Sequence, residues 1–240
     1  MIGILSDAHG NIGAFRSAIS HLRRLGVNKF YFLGDALGYI PSIEVVEELF
    51  NMRKEVKCIL GNHELMVLNQ LTNSNREPIY QHQPARSNLT VEQITFLKSW
   101  PTHRRDTYFG SKILFIHGGP NDFTNEYVYP DSDLSQYNVR EDFIFMGHSH
   151  YPFIKKVNAT TYVNVGSCGL PRDDGRYGSC AIFNAATRAV SIYRYNIDDA
   201  ETEVSSHVRN QLHSSVLKIF ERRSPNLTGH VLNQTGKNYD

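Results

Sequence analysis

Five short apolar runs in this 240-residue sequence are each followed by side chains that can bind a metal ion or move a proton. These side chains are carboxylates, imidazoles and one amide, and they belong to Asp7, His9, Asp35, Asn62, His63, Glu64, His117, His148 and His150. Imidazole and carboxylate groups are common protein ligands of transition-metal ions. Their repeated occurrence at one position, the end of an apolar run, predicts a shared metal site.

Each of these blocks taken alone has a simpler interpretation. An Asp-x-His sequence after a strand is often a turn with a helix cap, and Asn62 alone is typical of a helix N-cap. Side chains at i and i+2 of an extended segment point the same way, which pairs Asp7 with His9 and His148 with His150. The joint occurrence of five blocks favours a metal site over five unrelated caps and turns.

The elements around these blocks alternate in the first half of the chain. The runs IGILS, KFYFLGD and KCIL predict strands, and helical patterns follow at 11–25, at 41–50 and from Asn62. A β-α-β-α-β-α order favours a parallel sheet covered by helices. The carboxyl ends of neighbouring strands in such a sheet share one crevice, so the polar blocks are expected to converge there.

The second half of the chain predicts a second sheet, antiparallel or mixed. Its strands are KILFIH, DFIFMG, PFIKKV, TYVNVG, SCAIFN and AVSIYRY. Residues 69–88 are polar and predict a surface connection, with a lid as one interpretation, before a helix near 90–99. Apolar residues recur every four positions over 199–222 and predict an amphipathic helix. We predict a single domain over 1–225 and a polar tail over 226–240.

Composition argues against several classes of protein. A formal net charge of +1 gives no broad basic surface, so tight nucleic-acid binding is not indicated. No apolar run reaches the roughly 20 residues that cross a bilayer, and the initial MIGILSD reads as a strand rather than a leader. Three cysteines without paired spacing suit a reducing compartment. We therefore expect a cytoplasmic protein without membrane attachment.

In order along the chain, the five blocks resemble the signature blocks of the calcineurin-like metallophosphoesterases. The matching segments are Asp7-x-His9, Gly34-Asp35, Gly61-Asn62-His63-Glu64, His117-Gly118 and Gly147-His148-Ser149-His150. The NVGSCGLPRD loop at 164–173 also resembles the family loop that follows the paired histidines. The resemblance implies an α/β fold, a four-layer α/β/β/α sandwich of two mixed sheets flanked by helices. Residues 35–41 look like the small bacterial and archaeal phosphodiesterase-like members.

The resemblance also implies two divalent transition-metal ions. It assigns one ion to Asp7, His9, Asp35 and His150, and a second ion, bridged through Asp35, to Asn62, His117 and His148. Mixed imidazole, amide and carboxylate donors favour Mn, Fe, Co, Ni or Zn, and manganese is the ion that we expect. With two carboxylates the centre stays positively charged, which attracts a phosphoryl group.

The reaction that follows from such a centre is hydrolysis of a phosphate ester by a metal-bridging hydroxide. His63 is next to a ligand but by the family pattern is not one, so we expect it to be the general acid for the leaving oxygen. Glu64 is expected to hold the His63 ring and raise its pKa. An alternative for Glu64 is to complement the positive end of the helix that begins there, and both roles are compatible.

Departures from the family pattern bear on the substrate. The protein phosphatase branch follows Gly-Asp with Asp-Arg-Gly, whereas this sequence reads GDALGYIP and lacks that phosphate-binding arginine. Arg172 is a candidate substrate contact together with Asn62, and its alternative is a solvated loop arginine. Tyr39 could stack on a base, although packing is the simpler role.

Two functions are consistent with these observations. The first is a phosphodiesterase or phosphatase that acts on a small phosphate ester or a nucleotide-type substrate, with diesters ahead of monoesters. The second is a non-catalytic, metal-binding scaffold on the same fold that uses the groove for protein contacts. Retention of His63 with all seven ligand positions argues against the scaffold. Six other histidines, His82 among them, receive no role, and the oligomeric state is not predicted.

Overall fold

The computed structural model describes residues 1–71, 75–197, 210–223 and 231–232. Its strands are β1 (Ile2–Leu5), β2 (Lys29–Phe32), β3 (Val56–Cys58), β4 (His103–Tyr108), β5 (Ser111–Ile116), β6 (Phe143–Met146), β7 (Phe153–Val157), β8 (Thr160–Asn164), β9 (Tyr177–Asn184), β10 (Ala189–Asn196) and β11 (Val231–Leu232). Its helices are α1 (Ile12–Arg24), α2 (Glu44–Asn51), α3 (Asn62–Asn69), α4 (Glu77–Tyr80), α5 (His82–Asn88), α6 (Val91–Lys98) and α7 (Ser214–Phe220), with a 3₁₀ turn at Leu134–Gln136.

The strands form two mixed sheets. The first sheet has the order β11-β10-β9-β1-β2-β3, and the second has the order β4-β5-β6-β8-β7. In the first sheet β1, β2 and β3 are parallel, as helical crossovers require, while β9 joins β1 antiparallel. In the second sheet β5, β6 and β8 are parallel, and β4 and β7 are antiparallel edge strands. Parallel neighbours therefore bring their carboxyl ends to one edge of each sheet.

Alternate side chains of the strands build separate cores on the two faces of the second sheet. In β5 and β6, Phe115 and Phe145 belong to the core between the sheets, whereas Leu114 and Ile144 belong to a core on the outer face. Phe115 stacks on Tyr31 of β2 with ring centroids 3.8 Å apart. Truncating a buried Phe to Ala typically costs ~3–5 kcal/mol, so this contact makes a large contribution to sheet packing.

The outer face of the first sheet is covered by α1, α2 and α6. In α1 the residues Phe15, Ala18 and Leu22 are buried at helical spacing, and the side chain of Asn11 caps the helix by accepting from the backbone N–H of Ala14 at 3.1 Å. The outer core of the second sheet is closed by residues of the 117–140 segment, including Leu134 in the 3₁₀ turn. The predicted α/β fold with two mixed sheets is confirmed.

The structure of residues 69–88 differs from the predicted surface connection, because α4 and α5 occupy most of the segment. Ala85 of α5 is fully buried, and Arg86 donates to the carbonyl of Val67 in α3 at 2.9 Å. An apolar repeat becomes recognisable over about 11 residues or more, and these helices are shorter. The helix expected near 90–99 is confirmed as α6, which Thr90 caps.

The predicted helix over 199–222 is described only in its last part. Residues 214–220 are helical, and Val216 is buried there, but residues 210–213 are not helical, so the helix begins later than predicted. Residues 198–209 lie outside the described residues. Within the predicted tail, Val231–Leu232 pairs in parallel with β10, and the rest lies outside the described residues. Among the described helices, none is long and apolar enough to cross a membrane.

Candidate metal centre

The polar blocks at the strand ends adopt an unusual backbone conformation. Asp7, His9, Asp35, His148 and His150 all have positive φ, between 48° and 63°. The left-handed region costs a residue with a Cβ roughly 1–2 kcal/mol, so five such residues are strained. These conformations turn the backbone sharply after each strand and direct all five side chains to one point. The two i, i+2 pairs predicted from the sequence are therefore formed by turns rather than by extended segments.

Three overlapping groups of buried side chains bring their ligand atoms within 4.8 Å of one another. Two of these groups, Asp7 with His9 and His150, and Asp35 with His117 and His148, define the halves of a single cluster. Asp35 lies between the halves, because its Oδ2 is 3.3 Å from His117 Nε2 and 3.7 Å from His9 Nε2. We call the seven side chains the metal cluster, with Asn62 as the seventh member.

Asn62 joins the metal cluster through its side-chain oxygen. Its Oδ1 is 3.1 Å from His117 Nε2, and the residue begins α3 directly after the N-cap, Gly61. The alternative interpretation of Asn62 as a helix cap is therefore wrong. A Cβ at Gly61 would collide with the Asp35 carboxylate, so the chain can pass this close to the cluster only with glycine there.

The four histidines of the metal cluster are held by their outer nitrogens. Each outer nitrogen contacts a backbone carbonyl, the pairs being His9 Nδ1 with Leu37 at 3.0 Å, His117 Nδ1 with Leu33 at 2.8 Å, His150 Nδ1 with Leu170 at 2.5 Å and His148 Nε2 with Asn125 at 3.2 Å. A carbonyl oxygen can only accept, so each ring places its proton on the outer nitrogen. In the neutral rings the inner nitrogens are left with lone pairs that face the cluster.

These lone pairs face one another. His9 Nε2 is 3.1 Å from His150 Nε2, and His117 Nε2 is 3.2 Å from His148 Nδ1. Oδ1 of Asp7 is buried and has no hydrogen-bond partner. Facing lone pairs and an unpartnered carboxylate oxygen repel one another unless a cation lies between them. The residues therefore fit divalent metal ions, one in each half of the cluster.

The charges of the buried groups lead to the same conclusion. Burial would raise the pKa of Asp35, but the neighbouring histidines, led by His117, lower it well below its usual range. Burial lowers the pKa of His9 and, to about 4, that of His148, which keeps both rings neutral. Burial would also lower the pKa of His117, but Asp35 and Asp7 raise it to about 9, so without a metal ion this ring takes a second proton on its inner nitrogen. The carboxylates thus demand positive charge at the centre.

Glu64 does not hold His63, contrary to the prediction. Its carboxylate accepts backbone N–H bonds from Asp35 at 2.7 Å, Gly61 at 3.0 Å and Leu37 at 3.1 Å. It thereby ties the loop after β2 to the start of α3, and it completes the capping of that helix. Burial first, and then the nearby Asp35 charge, raise the pKa of Glu64 to about 7.

The partner of His63 is His82 of α5. His63 Nδ1 is 2.8 Å from His82 Nε2, and both side chains are buried. Burial lowers the pKa of His63 to about 3, which is opposite to the increase expected from Glu64. Gly38 makes room for the ring, since a Cβ there would collide with it. His82 was missed because it follows no strand, and no sequence pattern links it to His63.

Arg172 and Tyr39 lie beside the metal cluster in direct contact with each other. Arg172 Nη2 donates to the Tyr39 hydroxyl at 3.0 Å, so the arginine is not the solvated residue of the alternative interpretation. The Tyr39 ring is 4.8 Å from His9 and 5.0 Å from His63 between centroids. Its predicted packing role is thus confirmed.

The 164–173 loop holds the metal-binding turns in place. Ser167 Oγ donates to the carbonyl of Asp7 at 2.6 Å, and Asn164 Nδ2 donates to the carbonyl of Gly147 at 2.7 Å and to Ser149 Oγ at 2.9 Å. These bonds join the first and last blocks of the cluster across the two sheets.

The fold and the metal cluster together define a metal-binding α/β protein built like a phosphoesterase. Residues 1–188 match the model of the calcineurin-like phosphoesterase superfamily domain. The chain therefore belongs to the calcineurin-like phosphoesterase superfamily.

Three relatives extend the match over most of the chain. An uncharacterised protein of Methanocaldococcus jannaschii is 28% identical over 236 residues, which cover 88% of this chain and 93% of that protein. The crystal structure of a metallophosphoesterase from Sphaerobacter thermophilus superposes with a TM-score of 0.76 at 24% identity, over 92% of this chain and 98% of that one. A hypothetical protein from Pyrococcus horikoshii gives a TM-score of 0.76 at 21% identity over the same shares. The structural matches confirm the fold.

Proposed function

We propose that the protein is a phosphoric ester hydrolase that uses two divalent transition-metal ions. One ion is assigned to Asp7, His9, Asp35 and His150, and the other to Asp35, Asn62, His117 and His148. The observation that carries the proposal is the pair of facing imidazole contacts, at 3.1 and 3.2 Å, beside an unpartnered Asp7 oxygen. Four imidazoles, two carboxylates and one amide suit Mn, Fe, Co, Ni or Zn, and we favour manganese.

When bound, two such ions supply a water of lowered pKa as nucleophile and neutralise charge on the phosphoryl oxygens. The metal cluster contributes two carboxylates, so its side chains leave part of the ionic charge uncompensated. With the ions bound, that excess positive charge would favour an anionic phosphate ester at the mouth of the cluster. Asn62 supplies an amide N–H group beside the same position.

His63 is proposed to protonate the leaving oxygen. Its Nε2 is 4.0 Å from Asp35 Oδ2, so this nitrogen faces the cluster. We assign the shared proton of the histidine pair to His82 Nε2, which donates to His63 Nδ1. That tautomer leaves a proton on His63 Nε2, where the departing alkoxide needs it. His82 is thus a positioning residue, the role that the sequence suggested for Glu64.

Arg172 is proposed to bind a substrate oxygen. The side chain is half-buried at the rim of the metal cluster, and its guanidinium keeps donors beyond its bonds to Tyr39 and Tyr127. A small phosphate ester is the substrate we propose, with diesters ahead of monoesters.

A manganese-supplemented assay with bis(p-nitrophenyl) phosphate and p-nitrophenyl phosphate tests the proposal. We expect turnover of at least one ester, its loss in Asp35→Asn, and its retention in Asp133→Asn and His21→Ala. His63→Ala should lower the turnover of these esters much less than that of an alkyl phosphodiester, because p-nitrophenolate leaves without protonation. The two control residues lie outside the site, Asp133 at the start of the 3₁₀ turn and His21 in the last turn of α1. Absence of turnover over the five metals and both esters would overturn the enzyme, and a stable protein partner would then favour the scaffold.

The cysteines bear on where the protein works. Cys58, Cys168 and Cys180 are buried and unpaired. Free thiols persist in reducing compartments, which supports our proposal of a cytoplasmic protein.

A further inference from the structure

A cavity of about 1040 Å³ opens beside the metal cluster. Its lining contains four tyrosines, three arginines and one acidic residue, namely Tyr39, Tyr80, Tyr129, Tyr151, Arg76, Arg172, Arg222 and Asp131. We call this space the tyrosine cavity. Pockets of roughly 300–1,000 Å³ accommodate drug-sized ligands, so a phosphate group with a small alkyl substituent would leave most of the tyrosine cavity unfilled.

One row of aromatic rings leads from the metal cluster into the cavity on the side of the general acid. Tyr80 is 5.0 Å from His63 and 5.3 Å from Tyr39 between ring centroids. The backbone N–H of Tyr39 donates to the Tyr80 carbonyl at 2.8 Å, which fixes the two residues relative to each other. This row is therefore a rigid wall that begins at the leaving-group side of the site.

A second row begins at His148 of the metal cluster. The Tyr127 ring lies 3.9 Å from His148, and Tyr129 is nearly parallel to it at 5.9 Å with an angle of 7°. Tyr151 meets Tyr129 at 5.7 Å. Tyr127 and Tyr129 are 47% and 38% exposed, which is high for rings of this size. Two parallel, accessible rings provide faces on which a planar ligand can stack.

The three arginines of the cavity carry charge that no acid among the described residues neutralises. In the described part of the chain, none of the three lies within ion-pair distance of a carboxylate, although Asp131 also lines the cavity. Arg194, by contrast, pairs with a buried aspartate at 2.9 Å. Arg222 donates to the carbonyl of Arg172 at 2.9 Å, so these two lie together.

Arg172 connects the two aromatic rows. It donates to the Tyr39 hydroxyl at 3.0 Å and is hydrogen-bonded to Tyr127. A planar guanidinium presents a fork of donors that matches phosphate oxygens. Stacking faces on two sides and guanidinium groups between them are the chemistry that recognises a nucleobase joined to phosphate.

We propose that the tyrosine cavity binds a nucleotide, with its base against the tyrosine rows and a phosphate beyond the scissile one at the arginines. The proposal rests on the proposed function, because it identifies the ester that the metal cluster would hydrolyse. It restricts the substrate class to nucleotide esters that carry a second phosphoryl group. Hydrolysis would add water across one P–O bond, with the proton from His63 going to the leaving oxygen.

Calorimetric titration of the manganese-loaded full chain tests this proposal without requiring turnover. The probes are adenosine 5′-(α,β-methylene)diphosphate, which resists hydrolysis between its phosphorus atoms, and methylenediphosphonate, which lacks the nucleoside. We expect the nucleotide to bind at least about tenfold more tightly than methylenediphosphonate, because only the nucleotide carries a base that can stack on the tyrosines. Equal affinities would overturn the proposal.

Variants at exposed cavity positions locate the binding. Tyr129→Leu is expected to lower the affinity for the nucleotide about tenfold and to leave the affinity for methylenediphosphonate unchanged. The double variant Arg76→Met, Arg222→Met is also expected to lower the affinity for the nucleotide about tenfold. Phe109→Leu and Arg53→Met are matched controls outside the cavity and should change neither. Unchanged nucleotide affinity in both cavity variants, with melting temperatures preserved, would overturn the assignment.

Two further outcomes separate this inference from the proposed function. Nucleotide binding that depends on Tyr129, without turnover of any ester, would support nucleotide binding in the tyrosine cavity and overturn the proposed hydrolase function. Turnover with equal affinities for the two probes would support the proposed hydrolase function and overturn nucleotide binding in the tyrosine cavity. A phosphoserine peptide that binds more tightly than the nucleotide, and loses affinity in the same variants, would assign the cavity to phosphopeptides and overturn the inference as well.

Discussion

The metal cluster and the tyrosine cavity are adjacent but are built in different ways. Asp7 and Asp35 stand within three residues of the strands that position them, and both are at most 1% exposed. The cavity side chains come from loops and short helices, and Tyr129 is 38% exposed. Strand ladders and the bonds of Glu64 and Ser167 hold the cluster from several directions, whereas the second aromatic row is held by ring contacts and by hydrogen bonds to Arg172 and Ser132.

This difference assigns separate tasks to the two regions. Strained turns tied into two sheets keep ligand atoms within a few tenths of an ångström, which metal binding and catalysis require. Exposed rings and arginines on loops can adjust to a ligand, which recognition requires. In our proposal the metal cluster sets the reaction, and the tyrosine cavity sets which ester is accepted.

The largest effect is expected from Asp35→Asn, because this carboxylate lies between the two halves of the cluster. We expect kcat/KM to fall ~10³-fold or more, as loss of metal charge stabilisation is worth several kcal/mol. Elemental analysis should show fewer than two metal ions per chain. Asp133→Asn is the matched control. Full activity of Asp35→Asn would show that Asp35 is not the ligand shared by the two metal ions.

A smaller effect is expected from His82→Asn, which leaves the metal cluster intact. We expect kcat to fall ~10²-fold on an alkyl phosphodiester, part of the ~10²–10⁴ that general acid catalysis provides. The loss should be much smaller for p-nitrophenyl leaving groups, which need no protonation.

The conservative variant separates positioning from packing at residue 82. His82→Gln can place an amide N–H near the former Nε2 and should recover part of the loss, which His82→Asn cannot do. Equal losses of kcat with both leaving groups, together with a lowered melting temperature, would show that His82 stabilises the fold and does not position His63 for proton transfer.

The smallest effect is expected from Glu64→Gln, and it concerns stability. An amide replaces one acceptor oxygen while three backbone N–H donors remain around it, which should destabilise the protein by about 2 kcal/mol. For a chain of this size the melting temperature would drop ~4–8 °C. Glu126→Gln is the control, since that carboxylate also accepts backbone N–H bonds but is more exposed. Equal effects of the two variants would contradict the structural role of Glu64.

The sequence predicted well which side chains converge in the metal cluster, because each of them follows a strand signal. Asp7, Asp35 and His117 stand where apolar runs end, and the shared edge of parallel strands then predicts convergence. The roles of Glu64 and His82 were not predictable in this way. The carboxylate of Glu64 turns back to three backbone amides. His82 contacts His63 because α5 packs on α3, and the short polar sequence of α5 contains no pattern that predicts this packing.

The tyrosine cavity was even less predictable. Tyr39, Tyr129 and Arg172 are far apart in the chain and share no spacing, so their proximity depends on how loops cross the two sheets. The strained backbone at His9 and His148 was also hidden, because positive φ at a residue other than glycine leaves no mark in an apolar pattern.

Anomalous diffraction from crystals of the manganese-loaded protein tests the central claim most directly. We expect two anomalous peaks per chain, one at ligand distance from His9 and His150 and the other from His117 and His148, with Asp35 contacting both. A single peak, or none, in protein supplied with excess manganese would contradict the two-ion centre.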